Sequence, residues 1–152
     1  MTLKILALAA TAGVLTMGPP RIGVRTDHLP AGVVAIVDAH YHVPEAEARV
    51  YATAYRNVGN RREERDVPLT RLTPERFQFE RTWGTWAAAV VVGVEQGEHG
   101  RHGVSEALIL VDANGKAVRA DVAMTKPILG NPMPRRVSDS EIEEGYDKVR
   151  AR

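Results

Sequence analysis

The sequence predicts an all-β domain, a two-sheet sandwich or a barrel, closed by a short C-terminal helix. Three observations carry this expectation. About seven or eight short stretches of alternating or apolar character follow one another, with turn signals roughly every 8 to 12 residues. Residues 87–94 form an apolar run without a polar face, the pattern of a strand buried on both sides in the middle of a sheet. Ser138-Asp139-Ser140-Glu141 has the spacing of a capping box, with Ser138 as the cap and Glu141 three residues later.

The first residues read as an export signal rather than as part of the fold. Lys4 precedes an apolar run over residues 5–17, too short for a comfortable membrane span of about 20 residues. Thr16-Met17-Gly18 is not an Ala-x-Ala site, so residues 1–20 are expected to be a signal peptide or an uncleaved anchor. The β domain is expected over residues 21–126, and an irregular tail ending in the helix over 127–152. A periplasmic or secreted location follows from the signal, and contact with a membrane only through an uncleaved signal segment.

Residues 22–26 suit a short edge strand, and residues 28–32 a turn in which His28 has no evident partner. Residues 33–43 alternate clearly. Val33, Ala35, Val37, Ala39, Tyr41 and Val43 share one face; Val34, Ile36, Asp38, His40 and His42 share the other. The second face begins apolar and ends polar, so the far end of this strand should emerge into water. Residues 49–58 are rich in Tyr, Thr and Val, as strands are. Gly59-Asn60 opens a charged hairpin carrying Arg61 to Asp66, expected as a solvated edge that discourages pairing with other chains. Pro68 marks residues 67–72 as another edge.

Residues 76–83 alternate, with Phe77, Phe79 and Arg81 on the face expected to meet the core. Core packing is also the simpler account of Trp83 and Trp86. The small alanines of residues 87–94 would let a further layer approach closely. Residues 104–111 and 117–124 flank an Asn114-Gly115 turn, a strong hairpin signal. The helix is expected to run to about Val149, weakened by Gly145.

Composition narrows the function classes. The chain has 152 residues, room for one domain, and is 44% hydrophobic and 26% charged, which is globular rather than disordered. A net charge of +1 gives no strong drive toward nucleic acid or an anionic membrane. The absence of cysteine excludes disulfides, thiolate metal sites and lipid attachment through Cys.

The order of strand, charged hairpin, aromatic strand and Trp83-Gly84-Thr85-Trp86 before an apolar strand resembles small exported bacterial immunoglobulin-like or transthyretin-like domains, in outline the FixH-like and YtkA-like group. In those domains an aromatic strand leads through Gly-x-Trp into a buried strand. Phe77-Gln78-Phe79-Glu80-Arg81-Thr82-Trp83-Gly84-Thr85-Trp86 occupies that place, and the resemblance covers roughly residues 31–118. It implies an immunoglobulin-like β-sandwich acting as a noncatalytic module, sometimes linked to copper or oxidase biology. Beyond the signal only Met124 and Met133 are methionines, so the Met-rich segments of some exported copper proteins are lacking.

Histidines carry the sharpest functional expectation. His40 and His42 lie two residues apart on one strand face, about 7 Å between Cα atoms, close enough to share a metal. His99 and His102 lie in a Gly-rich loop with Glu98. In a sandwich the loops after these two strands fall at the same pole. A site of His40, His42 and one or both of His99 and His102 would suit zinc or copper(II), with Asp38 and Glu98 as further ligands or orienting groups. The alternative is an ordinary polar pole. Ser105 near His102 and Glu106 raises a small hydrolase only as a third reading, because no Gly-x-Ser-x-Gly elbow is present. The leading expectation is an exported noncatalytic module that binds a protein partner or supports an envelope assembly; the second is a zinc or copper protein.

Overall fold

A computed structural model describes residues 18–125, 130 and 132–151. The expected signal run of residues 5–17 and Pro127 of the expected tail lie outside them. Among the described residues, seven antiparallel pairings link β1 (Arg21–Leu29) and β2 (Gly32–His40), through β3 (Ala48–Val58), β4 (Arg61–Asp66), β5 (Thr70–Thr73) and β6 (Arg76–Thr82), to β7 (Ala88–Gln96), β8 (Val104–Val111) and β9 (Ala117–Val122). Two short strands, β10 (Met124–Thr125) and β11 (Met133–Pro134), pair with each other, and the α-helix α1 (Asp139–Arg150) follows.

One sheet has the order β1-β2-β6-β5 and the other β4-β3-β7-β8-β9. Their facing sides make one core. Val33, Ala35, Val37, Phe77 and Phe79 come from the first sheet, and Ala52, Ala54, Val90, Val92, Val94, Ile109 and Val111 from the second. The alternation of β2 and β6 sends their apolar sets inward as expected. At the open side of the core, β1 packs over β8 and β9, and His28 Nε2 donates to the Ala117 carbonyl at 2.9 Å. His28 thus belongs to a strand and has a partner: β1 runs to Leu29, and the turn is confined to Pro30 and Ala31.

Strand β7 is buried along its whole length. Its even-numbered residues fill the space between the sheets. Its outer face, with Ala89 and Val91, and Ala87 just before it meet Ile142, Tyr146 and Val149 of α1. The helix is therefore the layer that the alanines admit. Ser138 and Glu141 form the expected capping box. Gly145 is the point of closest approach, since a Cβ there would lie 2.7 Å from Leu110 Cδ2. The helix-propensity cost of this glycine is offset by the contact it permits.

Several boundaries differ from the sequence reading. The charged run Arg61 to Asp66 is itself strand β4, and the turn before it is only Gly59-Asn60. It is the edge of the five-stranded sheet, where charge hinders further pairing. Trp83 is buried, but Trp86 is 50% exposed, contrary to the expectation of core packing. Pro20 is fully buried, so the folded body includes residues assigned above to the signal.

Candidate functional site

Strands β2 and β7 end at one pole, and a single side chain joins the loops that follow them. Gln96 is the inward-facing last residue of β7 and is fully buried. Its Oε1 accepts from the His42 backbone N–H at 2.6 Å, and its Nε2 donates to the His102 carbonyl at 2.9 Å. A longer bond at 3.4 Å reaches the Gly18 carbonyl. A buried primary amide must satisfy both ends or lose stability, and here it does so by stitching three segments distant in sequence. The β7–β8 loop closes further through Gly97 N–H to the Glu47 carbonyl and Gln96 N–H to the Gly103 carbonyl, both at 2.9 Å. A cleft of about 720 Å³ opens beside it, with Glu47, Arg49, Glu95, His99, Arg101 and His102 among its walls.

The expected convergence of the two histidine loops on one pole is present, but the imidazoles do not form one ligand set. His40 and His42 meet edge to face, ring centroids 5.1 Å apart. His40 Nδ1 lies 3.4 Å from the Glu75 carboxylate, in a separate recess with Asp38 and Arg76. Asp38 accepts from Arg76 Nε at 2.7 Å and orients no histidine. His99, at positive φ, projects into water with Glu98 3.7 Å away. Among the described residues no three His, Asp or Glu side chains are placed to hold one metal ion. The zinc or copper site expected from His40, His42, His99 and His102 is therefore not assembled. The reason is register: β2 ends at His40, so His42 leaves the strand and takes up the Gln96 contact through its backbone.

A charged cluster that the sequence reading missed borders the cleft. Glu95 and Glu106 lie on the outer face of β7 and β8 and are each only 6% exposed. Tyr51, Gly93 and Glu106 form one row across β3, β7 and β8. The Tyr51 ring lies over Gly93, where a Cβ would come within 2.5 Å of the phenol, and its hydroxyl donates to Glu106 Oε2. Only glycine lets the ring cross β7 to reach that carboxylate. Val137 N–H donates to the other Glu106 oxygen at 2.8 Å. Arg136 closes the cluster from above. Its Nη2 donates to Glu95 Oε2 at 3.0 Å and to the His99 carbonyl at 3.1 Å. Its Nη1 donates to the Tyr51 hydroxyl at 3.3 Å. Arg49 binds the second Glu95 oxygen at 3.1 Å.

These contacts fix the charge states. Burial pushes the Glu95 carboxyl up, and the bonds from Arg136 and Arg49 more than offset it, holding it below the usual carboxylate range. Burial first, then the bond to the Glu106 side chain, raises the Tyr51 phenol far above its ordinary value, so it stays a donor. One signal for this cluster was open to view: the apolar run of β7 ends in Glu95-Gln96, two polar residues still inside a strand.

Chemically, the cluster is an arrangement in which each acid is already bound. Both Glu95 oxygens and both Glu106 oxygens accept from protein donors. Ser105 points the other way, into the core, and its Oγ has no hydrogen-bond partner among the described residues. No histidine is hydrogen-bonded to it among the described residues, so the Ser-His contact that a hydrolase reading requires is not formed there. No protein-family model, curated protein or solved structure matches the chain.

Proposed function

We propose that the chain is an exported, noncatalytic binding module, an immunoglobulin-like β-sandwich that presents its stitched pole to a protein partner in the envelope. The order β1-β2-β6-β5 facing β4-β3-β7-β8 parallels the ABED and C′CFG arrangement of immunoglobulin-like domains, with β9 and α1 as additions. In that architecture binding loops cluster at one pole. The observation that carries the reading is the buried Gln96 amide, which holds two polar loops in fixed relation beside the cleft. A rigid polar surface loses little entropy on association. Noncatalytic action fits carboxylates that are fully engaged by arginine, tyrosine and backbone donors.

Photo-crosslinking in the source cells tests this. A photoreactive residue in place of His99 or Arg101 should give one adduct of defined mass in the envelope fraction, and the same residue in place of Thr70, on the far edge strand, should give none. Identical adducts from all three positions, or a chain retained in the cytoplasm with residues 1–17 still attached, would refute the proposal. If the signal is cut, the mature N-terminus should fall at or before Gly18, because Pro20 is buried in the folded body; intact-mass measurement reads this directly.

A further inference from the structure

At the end of the core opposite the histidines, the inward-facing positions stop being apolar. On β3 the inner set passes from Ala52 and Ala54 to Arg56. On β4 the partners of Arg56 and Ala54 are Glu63 and Arg65. On β6 the set runs Phe77, Phe79 and then Arg81. A cavity of about 190 Å³ lies among these four charged residues, and its remaining walls include Trp83 and Trp86. Arg56 lies over the Trp86 ring at 4.0 Å and Arg81 over the Trp83 ring at 4.8 Å.

Charge is unbalanced there. Arg56 is paired with Glu63 at 2.6 Å, whereas Arg65 and Arg81 form no ion pair among the described residues. Stacking uses a guanidinium's face and leaves its N–H edge able to grip a carboxylate bidentately. Inward-pointing charge on an edge strand is a known defence against aggregation, and that accounts for β4. Arg81 lies beyond the reach of β5, whose pairing with β6 stops at Gln78, so the same defence can serve there; it does not account for a half-exposed Trp86 at the cavity mouth. Trp83 adds a second irregularity: its Nε1–H is buried without an acceptor among the described residues.

We propose that this cavity binds a small carboxylate ligand of about monosaccharide size, gripped by Arg65 and Arg81 and walled by Trp83 and Trp86. The volume is below the range of drug-sized pockets and admits a single ring. Aromatic walls favour a ring with an apolar face, and the two unpaired arginines select an anion over a neutral analogue. The site is separate from the histidine pole, so it stands whether or not a protein partner docks there.

The chain has two tryptophans, both in this wall, so intrinsic fluorescence of the full chain reports the site directly. Titration with glucuronate and with benzoate, against glucose at matched ionic strength, distinguishes a sugar acid from an aromatic acid. The expected result is a saturable emission change with one carboxylate and none with glucose. Arg81→Gln should weaken that dissociation constant by about tenfold or more. Arg65→Gln, at an exposed position on the edge strand, should weaken it in the same direction. No saturable change with either carboxylate, or an unchanged constant in Arg65→Gln, overturns the proposal. If Arg81→Gln fails to fold, the Arg65→Gln comparison decides alone.

Discussion

The outer face of the five-stranded sheet divides into two halves along the same strands, and each is covered differently. Toward the β7 start, Ala87, Ala89, Val91 and Leu110 lie under Ile142, Tyr146 and Val149 of α1. Toward the β7 end, Gly93, Glu95, Tyr51 and Glu106 lie under Arg136 and the Val137 backbone. The first half is held by shape and by removal of apolar surface from water. The second is held by charge in a half-dry setting, where attraction and desolvation nearly cancel. A fold that needed only stability could have extended the apolar half. The polar half also forms one wall of the pole cleft, and that shared position is the difference between the two.

The sharpest way to break this comparison is to remove the cover of the polar half. Arg136→Ala leaves Glu95 with Arg49 alone and should cost about 3 kcal/mol in chemical denaturation. A loss under about 0.5 kcal/mol would show that solvent replaces the guanidinium and that the two halves do not differ in kind. On the apolar half, Gly145→Val drives a branched side chain into Leu110 and should cost about 2 kcal/mol through overpacking. Full stability of that variant would mean the helix rides loosely on the sheet. Tyr51→Phe should cost about 1 kcal/mol by depriving Glu106 of a donor. In the unaltered protein the Tyr51 phenol should stay protonated above its ordinary value of 10.0 until the domain unfolds, as ultraviolet titration reads. Its raised value means this contribution is complete below 10.0 and fades as pH rises.

The smallest effect is at the junction of the halves. Hydrogen bonds from Arg135 hold the Glu141 carboxyl at about 2, against an ordinary value of 4.5. A depressed value gives stability that is present above 4.5 and lost as pH falls toward 2. Glu141 is partly exposed, so solvent screens the pair and the effect should be modest. Glu141→Gln should flatten the acid limb of the stability profile over that interval; an unchanged limb would assign acid unfolding to Glu95 instead.

Most strands were legible because their causes are local. Alternation in β2 and β6, the Asn114-Gly115 turn and the Ser138 capping box each sit within a few neighbouring residues. The unbroken apolar run of β7 also announced two covering layers. What could not be read depends on partners far along the chain. Glu95 and Glu106 look like strand-end charges until Arg136 is placed over them. Trp86 looks like core until the inner set turns charged at Arg56 and Arg81. The histidines were placed at the right pole by topology, but their shared geometry turned on where β2 stops, a boundary that residue pattern fixes poorly.

The Gln96 amide has one more consequence, which concerns time. Besides its local bond to His102 it reaches residues 18 and 42, so its full set of bonds can form only after both sheets have met. Contacts between such distant segments are made late on the way to the native state. The pole is thus a surface that a half-folded chain does not possess. Anything that recognises it meets finished molecules only, and recognition there doubles as a check that folding is complete.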